Sequence, residues 1–360
     1  MTSTQHNMTP YTQLGKLILQ KGHIHGDRTG HGRKSLYGHQ LRFDLNDNAM
    51  PVDSSRSIAV KSACNEILWM LAGCTDVSIL KKMRCNFWDK WCYNLSTPDQ
   101  KAFLKGKPPT LQYVDSIGPM YGRIWRGKNS LTELFNNRKN EDEDQLAFVL
   151  ATFANSHNSA RMRMTAWNPN LIPKDERIEP WQNVATGGAA LTPCHGDVQF
   201  LFRKDQETEK LKLTVVMFQR SADYMLGVPH NIAQYAFLAH WMAFVTGAEA
   251  EELVINYGDV HIYLPHLDDA AEQFEAGQVE ESKPVLELMK TNQLLKFRDN
   301  VQYLCNPAQW GNNKHRVKET IEVHLREYFE ATITLSMEKN VFDIHGYMPS
   351  DTQYKYAAAV

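Results

Sequence analysis

The chain has 360 residues, of which 42% are hydrophobic and 22% charged, the proportions of a folded globular protein. Its 39 basic residues are balanced by 41 acidic ones, so no strong overall field favours nucleic acid or an anionic membrane. No apolar run approaches the roughly 18 residues of a membrane-spanning helix, and the polar start MTSTQHNMTP does not read as a signal peptide. The six cysteines are dilute and form no C-x-x-C pair, which predicts reduced thiols in a cytoplasmic protein rather than a disulfide framework. Cys85 and Cys92 lie beside Trp88 and Trp91 with no second pair of ligands near them, so no metal is expected.

In chain order, SACNEILWMLAG (62–73) predicts a short apolar helix ending at Gly73, with Glu66 set among residues fit for a core. Residues 94–116, rich in turn formers and lysine, read as an insertion or loop. GRIWRGKN (122–129) has the spacing of a phosphate-binding loop. Asn129 stands where a magnesium-binding Ser or Thr is needed, and no apolar strand leads in, so that reading is rejected. NNRKNEDEDQ (136–145) reads as a solvated helix face or loop, and 168–191, mixing Pro, Gly and charge, as a second insertion.

Beyond Cys194 the patterns sharpen. Val198, Phe200 and Phe202 alternate with Gln199, Leu201 and Arg203, as in a strand with one buried face. LKLTVVMFQR (211–220) is rich in β-branched residues and predicts a second strand. GVPHNIAQYAFLAHWMAFVTG (227–247) changes to helical spacing and is apolar nearly all round, which predicts a buried helix stopped at Gly247. ELVINYGDVHIYL (252–264) returns to strand character. Strands and helices mix without a regular βαβ rhythm, so the fold class is α+β. Hydrophobic patterning resumes on both sides of every loop, which predicts one domain over 1–360 with insertions near 94–116 and 168–191.

Several polar residues stand in apolar segments, where an unpaired polar group costs several kcal/mol, on the order of 2–7. QRSAD (219–223) ends an apolar strand, Asn231 opens a buried helix, and His261 and Tyr263 fall two apart on one strand face. Taken singly, each has a bland reading. Arg220 and Asp223 could form an internal ion pair, Asn231 could cap its helix, and Cys194 could be an inert thiol.

Together these segments resemble the consecutive signatures of the thymidylate synthase family. TPCHGDVQF, QRSADYMLGVPHNIAQYAFLAH and YGDVHIYLPH carry the resemblance, with GDRTGHGRKSLYGHQLRF (26–43), NEILWMLAG (65–73), FWDKW (87–91) and GPMYGRIWR (118–126) in the same order. The ending HGYMPSDTQYKYAAAV (345–360) resembles the family's C-terminal tail. The resemblance implies a large mixed sheet packed against helices, and dUMP and 5,10-methylenetetrahydrofolate as substrates. It also implies a cytoplasmic homodimer with shared active sites.

What it implies residue by residue is chemically coherent. Cys194 would add to C6 of the pyrimidine, making C5 nucleophilic, with a nearby guanidinium, Arg220, favouring the thiolate. His195 would support a water network, and Glu66 with Tyr121 would relay protons. Arg28, Arg220, Ser221 and Arg161 of the second subunit would hold the phosphate. Asn231, with Gln219 beside it, would read the uracil edge, and His261 and Tyr263 the 3′-hydroxyl. Asp223, Trp88, Trp91, Leu226, Gly227 and Val360 would bind the folate.

The pattern departs in three places. In SARMRMTAWN (159–168) Ala160 replaces the first of two arginines, VDSSRS (52–57) replaces a folate-side segment, and His230 stands where a phenylalanine is usual. His230 is the candidate that decides the product. Hydride on the methylene intermediate gives dTMP and dihydrofolate, whereas water gives 5-hydroxymethyl-dUMP and tetrahydrofolate, as in phage relatives. A third reading is an inactive relative that binds nucleic acid, for which no basic stripe with interleaved aromatics speaks.

Overall fold

The computed structural model describes residues 8–26, 30–92, 115–132, 142–173, 178–185, 187–306, 314–354 and 356–358. Arg28, Val360 and most of the 94–116 loop lie outside the described residues. From the N-terminus the elements are α1 (Thr9–Lys21), β1 (His23–His25), β2 (Arg33–Asp44), α2 (Val60–Leu71), α3 (Val77–Lys82) and α4 (Gly122–Arg126). Next come α5 (Gln145–Asn155), β3 (Arg163–Met164), α6 (Pro180–Ala185), β4 (Asp197–Lys204), β5 (Leu211–Asp223) and α7 (Gly227–Thr246). The chain closes with β6 (Glu249–Tyr263), α8 (Leu267–Ala276), β7 (Val285–Leu288), α9 (Asn292–Leu304), α10 (Lys314–Glu338) and β8 (Phe342–His345). Two compact units share these elements. The first takes Met1–Cys64, Val198–Met289 and Phe342–Val360, and the second Asn65–Asp197 and Lys290–Val341.

In the first unit the strands lie in the order β1-β2-β6-β5-β4, with β2 antiparallel and β5 parallel to β6. The sheet is therefore mixed, and helices pack on it, α1 against β2 and α7 against β5 and β6. The fold is α+β. The expected alternation holds in β4, where Val198, Phe200 and Phe202 are buried, and in β5, where Leu213, Val215, Met217 and Gln219 are. β5 runs past the apolar stretch to Asp223 because β6 keeps pairing with it, setting Ser221 opposite Asp259 and Asp223 opposite His261.

The helix α7 carries no charged side chain and buries Ile232, Tyr235, Phe237, Leu238, Trp241 and Met242, so it has no solvent face. Burying each large apolar side chain contributes roughly 1.5–3 kcal/mol, far more than helix propensity supplies. Gly247 ends it in the left-handed conformation at φ 73°, which a Cβ would disfavour. Asn231 lies one turn inside this helix, and Leu226 holds the capping position, so the capping reading of Asn231 is set aside.

The second unit is helical, with α10 packed on α3, α5 and α9. The 168–191 stretch contains the helix α6. One expectation is corrected here. The charged run ending at 145 is not simply solvated, because Asp144 is fully buried. Its carboxylate caps α5 by accepting the Ala147 N–H at 3.0 Å and pairs with the equally buried Arg126. A helix N-terminus and a guanidinium together offset the cost of burying that charge.

Candidate active site

In the second unit, a tight turn ahead of β4 presents Cys194 and His195, both half-buried. The turn closes on Gly196, at φ 112°, where a Cβ would come within 2.5 Å of the Ala166 side chain. The Gly196 carbonyl accepts from Trp125 Nε1 at 3.1 Å, which pins the turn from behind. Tyr121 holds it from the other side. Its hydroxyl accepts the Cys194 N–H at 3.1 Å, and its ring stacks on His195 with centroids 4.7 Å apart. The Tyr121 backbone sits at φ 39°, a strained conformation for a residue with a side chain.

Next to Tyr121 stands Trp88, ring centroids 6.1 Å apart, and Trp91 meets Trp88 edge-on at 5.8 Å. Trp88 Nε1 donates to the carboxylate of Glu66, which α2 carries into the same buried cluster. Thus Cys194, His195, Tyr121, Glu66, Trp88 and Trp91 are brought together. Burial pushes the pKa of His195 down to about 3, so the ring is neutral at ordinary pH. Arg161 is exposed in the turn before β3, and Arg163, the first residue of β3, is exposed too.

The first unit carries the remaining residues. Gln219 Nε2 donates to Asn231 Oδ1 at 3.0 Å, and Asn231 Nδ2 donates to Gln234 Oε1 at 2.9 Å. Gln219 Nε2 also donates to the Ser221 carbonyl at 3.3 Å, which can only accept, so the direction of the chain, and with it the oxygen end of the Asn231 amide, is fixed. Within this chain Asn231 uses one N–H and one lone pair and keeps one of each. The Asp223 carboxylate accepts the N–H groups of Met225 and Leu226, both at 3.2 Å. Burial nevertheless raises its pKa, the two backbone donors only partly opposing this. Gly227 starts α7, and Arg220 and Ser221 are half-buried at the end of β5.

His230 Nδ1 lies 2.8 Å from the Leu226 carbonyl, which can only accept, so Nδ1 carries the hydrogen. Burial first, and then the Arg56 guanidinium, push its pKa down to about 4. Arg56 itself is buried, donates from Nη2 to the Met225 carbonyl and lies over the Tyr356 ring at 5.1 Å.

His261 and Tyr263 do meet, with ring centroids 5.1 Å apart. Sequence reasoning missed what orients them. Asp259 Oδ1 lies 3.2 Å from His261 Nδ1, and Arg33 on β2 pairs with the other oxygen at 2.9 Å. Burial alone would raise the Asp259 carboxyl, but His261 and Arg33 outweigh it and hold the pKa below the usual value. An ionised Asp259 makes Nδ1 the donor and turns Nε2 into an acceptor for a hydroxyl. The signal was present, since D-x-H-x-Y puts three polar groups on one strand face. Gln234 was missed in the same way, one helical turn from Asn231.

The thymidylate synthase family model matches residues 9–304. A thymidylate synthase of Francisella philomiragia subsp. philomiragia is 33% identical over 318 residues, covering 88% of this chain and 100% of the relative. One from Francisella tularensis subsp. holarctica is 32% identical over 292 residues, covering 81% of this chain and 92% of the relative. With residue patterns and matches agreeing over most of its length, the chain belongs to the thymidylate synthase family, a family of methyltransferases.

Proposed function

We propose that this enzyme transfers a one-carbon unit from 5,10-methylenetetrahydrofolate to C5 of dUMP, giving dTMP and dihydrofolate. The observation that carries the reading is the amide chain Gln219–Asn231–Gln234. It presents one donor and one acceptor in fixed order, matching O4 and N3–H of uracil. Cytosine offers the opposite pair and is disfavoured.

The Cys194 thiolate adds to C6, and electron density moves through C5 to O4, where the remaining Asn231 N–H stabilises it. C5 then attacks the one-carbon unit, its hydrogen leaves as a proton, and the bond from that carbon to the folate nitrogen breaks, which leaves an exocyclic methylene and tetrahydrofolate. Glu66 and Tyr121, clustered with the half-buried Cys194, relay protons through water. Hydride from the tetrahydrofolate reduces the exocyclic methylene, and Cys194 leaves. Arg28, Arg220 and Ser221 hold the phosphate by charge-assisted bonds, and His261 and Tyr263 take the 3′-hydroxyl. Asp223 accepts from the pterin N–H groups, while Trp88, Trp91, Leu226, Gly227 and Val360 enclose the folate.

The enzyme acts as a cytoplasmic homodimer, with Arg161 serving the partner's phosphate site. Exposed Leu201 and Phe218 on the strands β4 and β5, at 36% and 45% accessibility, support an apolar docking face, and Arg161 is exposed. A second reading is 5-hydroxymethyl-dUMP as product, favoured by a neutral imidazole at His230 rather than an apolar ring.

The test is incubation with dUMP and methylenetetrahydrofolate. Dihydrofolate formation raises near-ultraviolet absorbance, and the nucleotide mass gives methyl or hydroxymethyl. Unchanged dUMP in the wild type, or full turnover by Cys194→Ala, would sink the proposal.

A further inference from the structure

Between the paired strands β7 and β8 the chain makes a helical excursion, α9 and α10, that belongs to the second unit. We infer that α10 is a brace for the proton-relay pair, acting through Arg126 as a positioning residue, with Phe329 as the cover that keeps Arg126 in place. The inference rests on the roles proposed above for Glu66 and Tyr121.

Arg126 ends α4, the five-residue helix that begins directly after Tyr121. Its guanidinium is fully buried. Nη1 donates to the carbonyl of Leu71 at 2.8 Å, and Leu71 is the last residue of α2, the helix that carries Glu66. Nε donates to both oxygens of Asp144, at 3.1 and 3.0 Å. Asp144 in turn accepts from Asn129 at 3.1 Å and caps α5. One side chain therefore ties together the segments that carry Tyr121 and Glu66.

The α10 helix closes this knot. The Phe329 ring, itself fully buried, lies 5.0 Å from the Arg126 guanidinium carbon. Such a contact is attractive, and by excluding water it strengthens the Arg126–Asp144 pair. Further along, Asn340 Oδ1 accepts from Asn65 Nδ2 at 3.1 Å and from Arg84 Nη2 at 2.9 Å. Asn65 immediately precedes Glu66. At the other end Glu322 pairs with Lys128 at 3.1 Å and Lys318 pairs with Glu143. The excursion thus grips side chains on both sides of the relay. A strained Tyr121 needs such support, since strain persists only where the surroundings over-determine it.

The variant that tests this is Phe329→Leu, which keeps apolar bulk but removes the ring. We expect kcat to fall about tenfold, with the dUMP KM within about twofold of wild type. The rate at which iodoacetamide alkylates Cys194 should shift several-fold, because Tyr121 holds the Cys194 N–H. Phe329→Tyr, which restores a ring, should recover both, and Tyr303→Ala at an exposed site on α9 should change neither. Asn340→Ala tests the other grip and should give a smaller loss of the same kind, so the question stays answerable if Phe329→Leu does not fold. Wild-type kcat and alkylation rate in folded Phe329→Leu, or in Asn340→Ala when the former does not fold, overturn the brace. So does a loss in which kcat and KM move together. A wild type that leaves dUMP unchanged sinks the functional reading instead, and the alkylation rates still decide the brace.

Discussion

The hydroxyl of Tyr121 accepts the backbone N–H of Cys194 at 3.1 Å while its ring stacks on His195 at 4.7 Å. One side chain therefore sets both the turn that carries the thiol and the ring beside it. Tyr121→Phe keeps the stacking and strands the N–H. An unpaired buried donor costs about 1–3 kcal/mol, so the turn relaxes. The expected result is a fall in kcat of about 10- to 100-fold with dUMP affinity nearly unchanged, read from steady-state rates and equilibrium dUMP binding. A kcat equal to wild type would remove Tyr121 from the chemistry.

Asp259 orients His261 without touching substrate in the proposed mode. Removing such an outer partner typically costs about 10- to 100-fold where the partner fixes a tautomer. Asp259→Asn should therefore raise the dUMP KM by about tenfold and leave kcat within about a factor of two. The effect should vanish with a nucleotide lacking the 3′-hydroxyl. If the deoxy and dideoxy nucleotides respond alike, His261 does not hold that hydroxyl.

Asn231→Asp replaces a donor–acceptor amide by a group that only accepts when ionised. A buried site built to pair with uracil then faces O4 with a second oxygen, and kcat/KM for dUMP should fall by about 100-fold or more. The exocyclic amine of cytosine now finds an acceptor, so dCMP should gain relative to dUMP. Mass analysis of both nucleotides after turnover checks it, and unchanged preference would show that Asn231 does not read the ring.

His230 makes a pH prediction. Its folded pKa is about 4, below the ordinary value of about 6.5 that it regains on unfolding. Between those two values the unfolded chain binds a proton that the folded chain refuses, so stability falls as pH drops from 6.5 and levels off below 4. The full effect is about 3 kcal/mol. His195 acts with the same sign and extends the window to about 3. His230→Phe should flatten the fall in melting temperature between pH 6.5 and 4. An unaltered slope would mean that the ring is open to water.

The parts of the fold legible in the sequence are those set by local periodicity. α7 and β5 are patterned by their own residues, the strand by its alternation and the helix by its spacing and its stop at Gly247. What could not be read is what depends on distant partners. Nothing near Asp144 announces that Arg126 will bury it, and a run of acidic residues usually means solvent. The strain at Tyr121 is a backbone property with no residue-type signature. α10 did carry a local signal, since Val317, Ile321, Leu325, Phe329 and Ile333 recur every four positions and are all buried, whereas its cover of Arg126 is a tertiary contact that no local pattern announces. Within the site the family signatures mark the residues that match them, whereas the roles of Asp259, Gln234 and Arg126, which hold those residues in position, rest on side-chain contacts to His261, Asn231 and the Leu71 carbonyl.

Leu288 and Phe342 face each other in the β7–β8 ladder, so α9 and α10 depart and return through neighbouring positions. Such a doorway lets a protein acquire, enlarge or shed a helical appendage without rethreading a sheet, because the ends to be rejoined are already side by side. It also means that a nick between α9 and α10 would leave both fragments clasped by the same short ladder. A broken chain could then stay assembled, its halves held as a handle holds a lid.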